Sequence, residues 1–336
     1  MAVQHDDAAS FPGLVDLAAE KFGGVALEAS DEFFAGKENL LKPGRGVFIP
    51  DKFTDRGKWM DGWETRRKRT PGHDWCVIRL GMPGVVRGLD IDTNHFLGNH
   101  PPYASVEGIR LGEGEDESEL AGRDGWQQVL PRSPLAPGSQ NMFPSYSDGS
   151  FTHLKLNIFP AGGVARFRVY GEVTPQLPED GQEQIDLVAL ANGGQAVACS
   201  DMFFSPMENL IMPGRAENMG QGWESRRRRG PGYDWVILEM TRPGLIDEIE
   251  VDTNHFKGNY PDRCSIEALH APGEPVDLLN WADYDWTTVM DEQKLSAHER
   301  HFFDDEIVEE GPFSHVKLNI FPDGGVSRLR VNGRIA

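Results

Sequence analysis

The sequence predicts an all-β protein, a tandem of two similar domains that are each a β-sandwich of jelly-roll type. Three observations carry this expectation. Apolar residues recur with a period of two in short runs, Gly and Pro punctuate those runs, and the second half of the chain repeats the first.

The repeat comes first because it organises everything else. "VDLAAEKFGGVALEASDEFFAGKENLLKPGR", from Val15, matches "IDLVALANGGQAVACSDMFFSPMENLIMPGR", from Ile185, at an offset of 170 residues. "GWETRRKRTPGHDW", from Gly62, matches "GWESRRRRGPGYDW", from Gly222, at an offset of 160. The first copy therefore carries ten extra residues, within "GVFIPDKFTDRGKWMD". "HLKLNIFPAGGVARFRVYG" from His153 and "HVKLNIFPDGGVSRLRVNG" from His315 close the correspondence. Such a period is far too long for a solenoid, so each copy is a whole domain. The expected boundaries are 15–172 and 185–336, with 173–184 as a polar linker rich in Pro.

Inside a copy, "WCVIRL" and "VVRGLDID" read as two strands separated by the turn signal "GMPG". "VARFRVYG" alternates Val164, Phe167 and Val169 with Arg166 and Arg168. "HLKLNIF" sets Leu154, Leu156 and Ile158 on a core face against His153, Lys155 and Asn157, the pattern of a half-buried strand. "FPGLVDLAAEKF" is the best short helix.

Composition narrows the function. The 336-residue chain carries a formal charge of −20, which argues against a nucleic-acid partner. No apolar run reaches membrane-spanning length, and "MAVQHDDAASFPG" lacks the pattern of a signal peptide. Cys76, Cys199 and Cys264 are widely spaced with no CxxC pair, which points to a reduced, cytoplasmic setting and to no zinc site. No GxSxG, P-loop, HExxH or dinucleotide loop is present, and no spacing argues for a metal or cofactor.

Three polar constellations recur in both copies. Arg66, Arg67 and Arg69, with Arg226, Arg227 and Arg229, form basic clusters suited to a carboxylate or phosphate; the competing reading pairs them with the chain's own surplus acids. Trp63, Trp75, Trp223 and Trp235 bracket the clusters as core anchors. "DTNHF", at residues 92–96 and 252–256, follows an apolar strand and runs into a Gly-Asn loop. It offers Asp92, Asn94, His95 and Asn99, and again Asp252, Asn254, His255 and Asn259, for proton transfer and for holding an amide or urea. Asn157 and Asn319 stand on the polar face of the "KLNIF" strand.

These strings resemble the allantoicase family, over nearly the whole chain. The resemblance implies two jelly rolls of galactose-binding-like type, a homo-oligomer, and hydrolysis of allantoate to ureidoglycolate and urea in purine breakdown. For that chemistry His95 or His255 is the expected acid and Asp92 or Asp252 the base, with Glu64 or Glu224 in reserve. His73 and His100 face Tyr233 and Tyr260 in the other copy, so the copies have the means to differ in function. Competing readings are a ureidoglycolate-cleaving enzyme, a tandem carbohydrate-binding module without chemistry, and a structural subunit.

Overall fold

The computed structural model describes residues 14–112, 114–175, 177–178, 181–272 and 278–336. The amino-terminal string lies outside them, as do parts of the 173–184 segment. The chain forms two compact units that divide between Thr174 and Pro175. It is all-β, and its helical turns among the described residues are short 3-10 pieces.

One strand organises each unit. In the first it is Asp74–Asp92, 19 residues long. Its first half pairs with Ser150–Phe159 on one side and Val25–Ala29 on the other. Its second half pairs with Arg166–Val173 and Met142–Pro144. Register shows the path, because Asp74 lies opposite Ile158, Gly84 opposite Val173, and Asp92 opposite Arg166. The strand thus leaves one end of the sandwich, bends, and returns to that end in the other layer.

"GMPG" is that bend. It is a corner inside one strand and not the turn between two that the sequence suggested. A Cβ on Gly81 would lie 2.5 Å from the Phe22 carbonyl oxygen, so only glycine lets the crossing chains come so close. Ser150–Phe159 continues the first layer through Tyr103–Ile109 to Gln127–Pro134, and Val15–Asp16 edges the second. The second unit repeats the plan around Asp234–Asp252, with Phe313–Phe321 and Arg328–Ile335.

Apolar residues from both layers fill the space between them. Cys76, Ile78, Leu89, Ile91, Leu154, Leu156, Ile158, Phe167 and Val169 are fully buried, each aliphatic side chain contributing about 1.5–3 kcal/mol. Trp63 and Trp223 are buried as anchors, their indole N–H groups donating to the Asp31 and Asp201 carbonyls.

The expected helix at residues 11–22 does not form; residues 11–13 lie outside the described ones. Val15–Asp16 is a strand instead, and Glu20–Phe22 makes one 3-10 turn. Asp16 accepts from the Ala18 and Val169 N–H groups, and Gly23 at φ 92 ends the turn. Too few residues remain between strand and glycine to nucleate an α-helix.

The Phe of each "DTNHF" closes one end of its sandwich. Phe96 is fully buried against Gly163 and Gly62, where a Cβ on Gly62 would stand 2.8 Å from its ring. Phe96→Ala is expected to cost the first unit about 3–5 kcal/mol in denaturant unfolding, while Leu97→Ala, at an exposed site, should stay within about 0.5.

Candidate functional site

Because the long strand starts and finishes at one end of the sandwich, its polar termini meet there. Ile158 and Arg166, the partners of Asp74 and Asp92, are joined by a short connection. Within it Gly163–Val164 pairs with Trp63–Glu64. That pairing draws Glu64 and the adjoining basic cluster to the same end as "DTNHF". The second unit does the same, with Gly325–Val326 on Trp223–Glu224.

Asp92 and Asp252, expected as bases, have no free oxygen for that role. Asp92 is 1% exposed, and both its oxygens accept from Arg45, Nε at 2.8 Å and Nη2 at 2.9 Å. Arg215 holds Asp252 in the same fork at 3.1 and 3.3 Å. The Asn94 and Asn254 N–H groups each add a bond at 2.9 Å, closing an Asx turn. These aspartates position the loop. Neither Arg45 nor Arg215 was singled out from sequence, although each closes a repeated block ending in "PGR".

The turn forces the next residue into the left-handed region, His95 at φ 68 and His255 at φ 69. Side chains rarely accept this conformation, so both loops hold strain against their hydrogen bonds. Asn94 Nδ2 and His95 Nε2 lie 2.9 and 3.1 Å from the Gly46 carbonyl; Asn254 and His255 use the Ala216 carbonyl at 3.0 and 2.9 Å. A carbonyl only accepts, so Nε2 carries the ring proton and Nδ1 is left as the acceptor in the neutral ring. That geometry suits a base better than the acid expected. His255 has a neighbour in His298, whose Nδ1 accepts from the His255 N–H at 2.7 Å. His298 also sits at positive φ, 58, and its counterpart in the first unit is Gly138.

Glu64 accepts from Asn99 Nδ2 at 2.6 Å, and Glu224 pairs with Asn259 in the same way. Burial pushes the Glu64 carboxyl above its usual range, with the Asn99 hydrogen bond opposing.

The basic clusters divide. Arg66 and Arg226 bond Asp31 and Asp201, while Lys68 and Arg228 pair with Asp74 and Asp234. Here the chain's own acids hold the cations. Arg67, Arg69, Arg227 and Arg229 are exposed and pair with no carboxylate among the described residues. In the second unit Arg226, Arg227, Arg228 and Arg229 line a cavity of about 320 Å³ together with Asp201 and Asp234.

The third constellation is internal, and Asn157 and Asn319 are buried. Asn157 donates to Ser105 and Glu107 and meets His73 Nε2 at 3.1 Å. Asn319 donates to Ser265 and Glu267. Lys155 and Lys317 reach the same glutamates at 3.0 and 2.8 Å, with Trp126 and Trp281 under their ammonium groups. The face expected to offer Asn157 and Asn319 to a substrate is therefore a largely buried polar ladder. His73 packs on Phe159 and Tyr233 on Phe321, but only His73 also bonds its asparagine, and the Asn319 Oδ1 atom has no partner among the described residues. No cluster of three or more potential metal ligands occurs among the described residues.

Comparison with known proteins places this arrangement. The model of the allantoicase repeat matches residues 15–174 and 185–336. The chain belongs to the allantoicase family. It is 48% identical to a probable allantoicase 1 of Burkholderia mallei, over 96% of this chain and 94% of that one. It is 47% identical to an allantoicase of Dictyostelium discoideum, over 94% and 86%. The crystal structure of Saccharomyces cerevisiae allantoicase superposes with a TM-score of 0.73 at 35% identity, covering 97% of both chains.

Within this family frame the two repeats of the chain differ at one buried cation. Arg166, expected to face outward, is 3% exposed, and its Nη2 bonds Asp61 Oδ2 at 2.8 Å. Burial pushes the Asp61 carboxyl up, but Arg166 and the Val47 N–H outweigh it and hold the group below its usual range. In the second repeat the equivalents are Arg328 and Gln221, and no ion pair forms. Asp61→Asn should cost the first unit about 3–5 kcal/mol in denaturant unfolding, because it strands a buried guanidinium.

Burial also pushes the His153 and His315 rings below the ordinary 6.5, with Glu117 and Glu239 opposing. Unfolded chains then bind protons first as pH falls, so stability drops below pH 6.5 and is regained above it. His315→Gln should flatten the fall of melting temperature in that range.

Proposed function

We propose that this protein hydrolyses allantoate to ureidoglycolate and urea, a C–N hydrolase step of purine catabolism. The observation that carries this is membership of the allantoicase family across both repeats. The geometry supports it with the groups such a ureide needs, guanidinium for its carboxylate, and amide-paired carboxyls and imidazoles at one end of each sandwich for its ureido nitrogens.

Glu64 or Glu224 is the proton donor in our reading, with one oxygen fixed by Asn99 or Asn259. His95 or His255 is the base, with Nε2 tied to a carbonyl and Nδ1 as acceptor. Water gives a proton to Nδ1 and its oxygen bonds the central carbon. The C–N bond breaks, and the departing urea nitrogen takes the carboxyl proton. Asp92 and Asp252 hold the histidines in place through the loop. The exposed Arg67, Arg69, Arg227 and Arg229 draw an anionic substrate toward a chain of net negative charge.

Homo-oligomeric assembly and a cytoplasmic location complete the proposal. Support for the latter is that Cys76, Cys199 and Cys264 are free, with burial raising Cys199 to about 11 and Cys264 to about 12. No described helix is long and apolar enough to cross a membrane.

Purified protein given allantoate should release urea faster than from ureidoglycolate, and the reverse preference would favour the ureidoglycolate-cleaving alternative. Glu64→Gln with Glu224→Gln, and His95→Ala with His255→Ala, should each lower kcat by about 10²–10⁴-fold. Near-normal urea release by either double variant would end that residue's assignment.

A further inference from the structure

We propose that Arg328 seats the carboxylate of the substrate, so that the second repeat is the one that holds it. This rests on the hydrolysis proposed above and names the group that anchors its anion.

Arg328 begins the strand Arg328–Ile335 and lies directly opposite Asp252 in register, at the "DTNHF" end of the sandwich. It is 5% exposed. Its Nε donates to the Gly214 carbonyl at 2.9 Å, and its Nη1 reaches the carbonyls of Asn209, Gln221 and Ser327. Among the described residues Nη2 has no hydrogen-bond acceptor, and no carboxylate forms an ion pair with the group. Asp252, the acid it senses nearby, already has both oxygens on Arg215.

The first repeat is an internal control. Arg166 donates through Nη1 to the Asp61 carbonyl at 3.1 Å and through Nη2 to the Asp61 carboxylate at 2.8 Å. In the second repeat Nη1 keeps the matching bond, to the Gln221 carbonyl at 2.7 Å. The backbone has stayed in place while the carboxylate has gone. The Gln221 side chain turns instead to Glu217, accepting from its N–H at 2.9 Å. What remains is the donor half of a guanidinium–carboxylate pair with its acceptor removed.

Such a cation is costly unless something completes it. Burial and the neighbouring Arg330 lower Arg328 to about 10, which leaves it charged at neutral pH and in need of an anion. A carboxylate on Nη2 would supply the charge-assisted bond that Asp61 supplies in the first repeat. There the seat is taken by the chain itself, and the first repeat has no place for the ligand. The carboxylate so held lies at the strand end that carries His255 and its neighbour His298.

Gln221→Asp restores the missing acid and tests this without removing a buried residue. The expected result is a rise of about tenfold or more in KM for allantoate, as one charge-assisted hydrogen bond is worth. Binding of N-carbamoylglycine, a carboxylate with a single ureido group, should weaken in parallel, with the melting temperature unchanged or raised. Gln221→Asn, neutral and of the same length as the Asp, should leave KM within about twofold to threefold of wild type. Wild-type KM in Gln221→Asp, or equal impairment of Gln221→Asn, overturns the proposal. Absence of urea release by the wild-type protein would instead defeat the hydrolase reading, and N-carbamoylglycine binding would still test the seat.

Discussion

The fork between a loop arginine and the last residue of the long strand is the constraint on which the rest depends. Arg45 on Asp92, and Arg215 on Asp252, place two donors on a carboxylate that is almost wholly buried. Removing the arginine would leave a buried carboxylate without its counter-charge. With the carboxylate fixed, the following Asn closes its turn, the His is driven to positive φ, and the Phe is carried into the core. Strain in the loop and burial of the Phe oppose each other, and together they aim one imidazole nitrogen outward. The repeated pentapeptide is thus a mechanical unit first. Its chemistry follows from how tightly it is held.

Duplication then left two such units free to drift apart. The first carries the ten extra residues, whose Phe48 ring lies 5.5 Å from that of His95, and has Asp61 on its buried arginine. The second has Gln221 in place of that acid and His298 beside His255. One repeat pairs its buried cation with a carboxylate. The other keeps an unpaired buried cation, an arrangement that stability alone would not favour.

Much of the fold was legible because strand periodicity and punctuation are local. The all-β class, the duplication and the strand-end setting of "DTNHF" follow from short windows of sequence. Other features depend on pairing at long range. The "HLKLNIF" alternation separates apolar from polar, yet it does not distinguish water from Glu107 and Trp126 as the polar face's neighbours. Arg166 reads as outward on the same pattern and is buried by a carboxylate 105 residues away. "GMPG" carries turn residues because two chains cross closely there, which local rules translate as a hairpin. Within the candidate site, the repeated acids, amides and imidazoles were visible, but Arg45 and Arg328 gain meaning only once Asp92 and Gln221 are seen beside them.

The proposed seat belongs to the second repeat alone, although both repeats share one scaffold. Calorimetric titration of the intact chain with N-carbamoylglycine measures this directly, through the number of sites per chain. One site per chain is expected. Two equivalent sites per chain would contradict it.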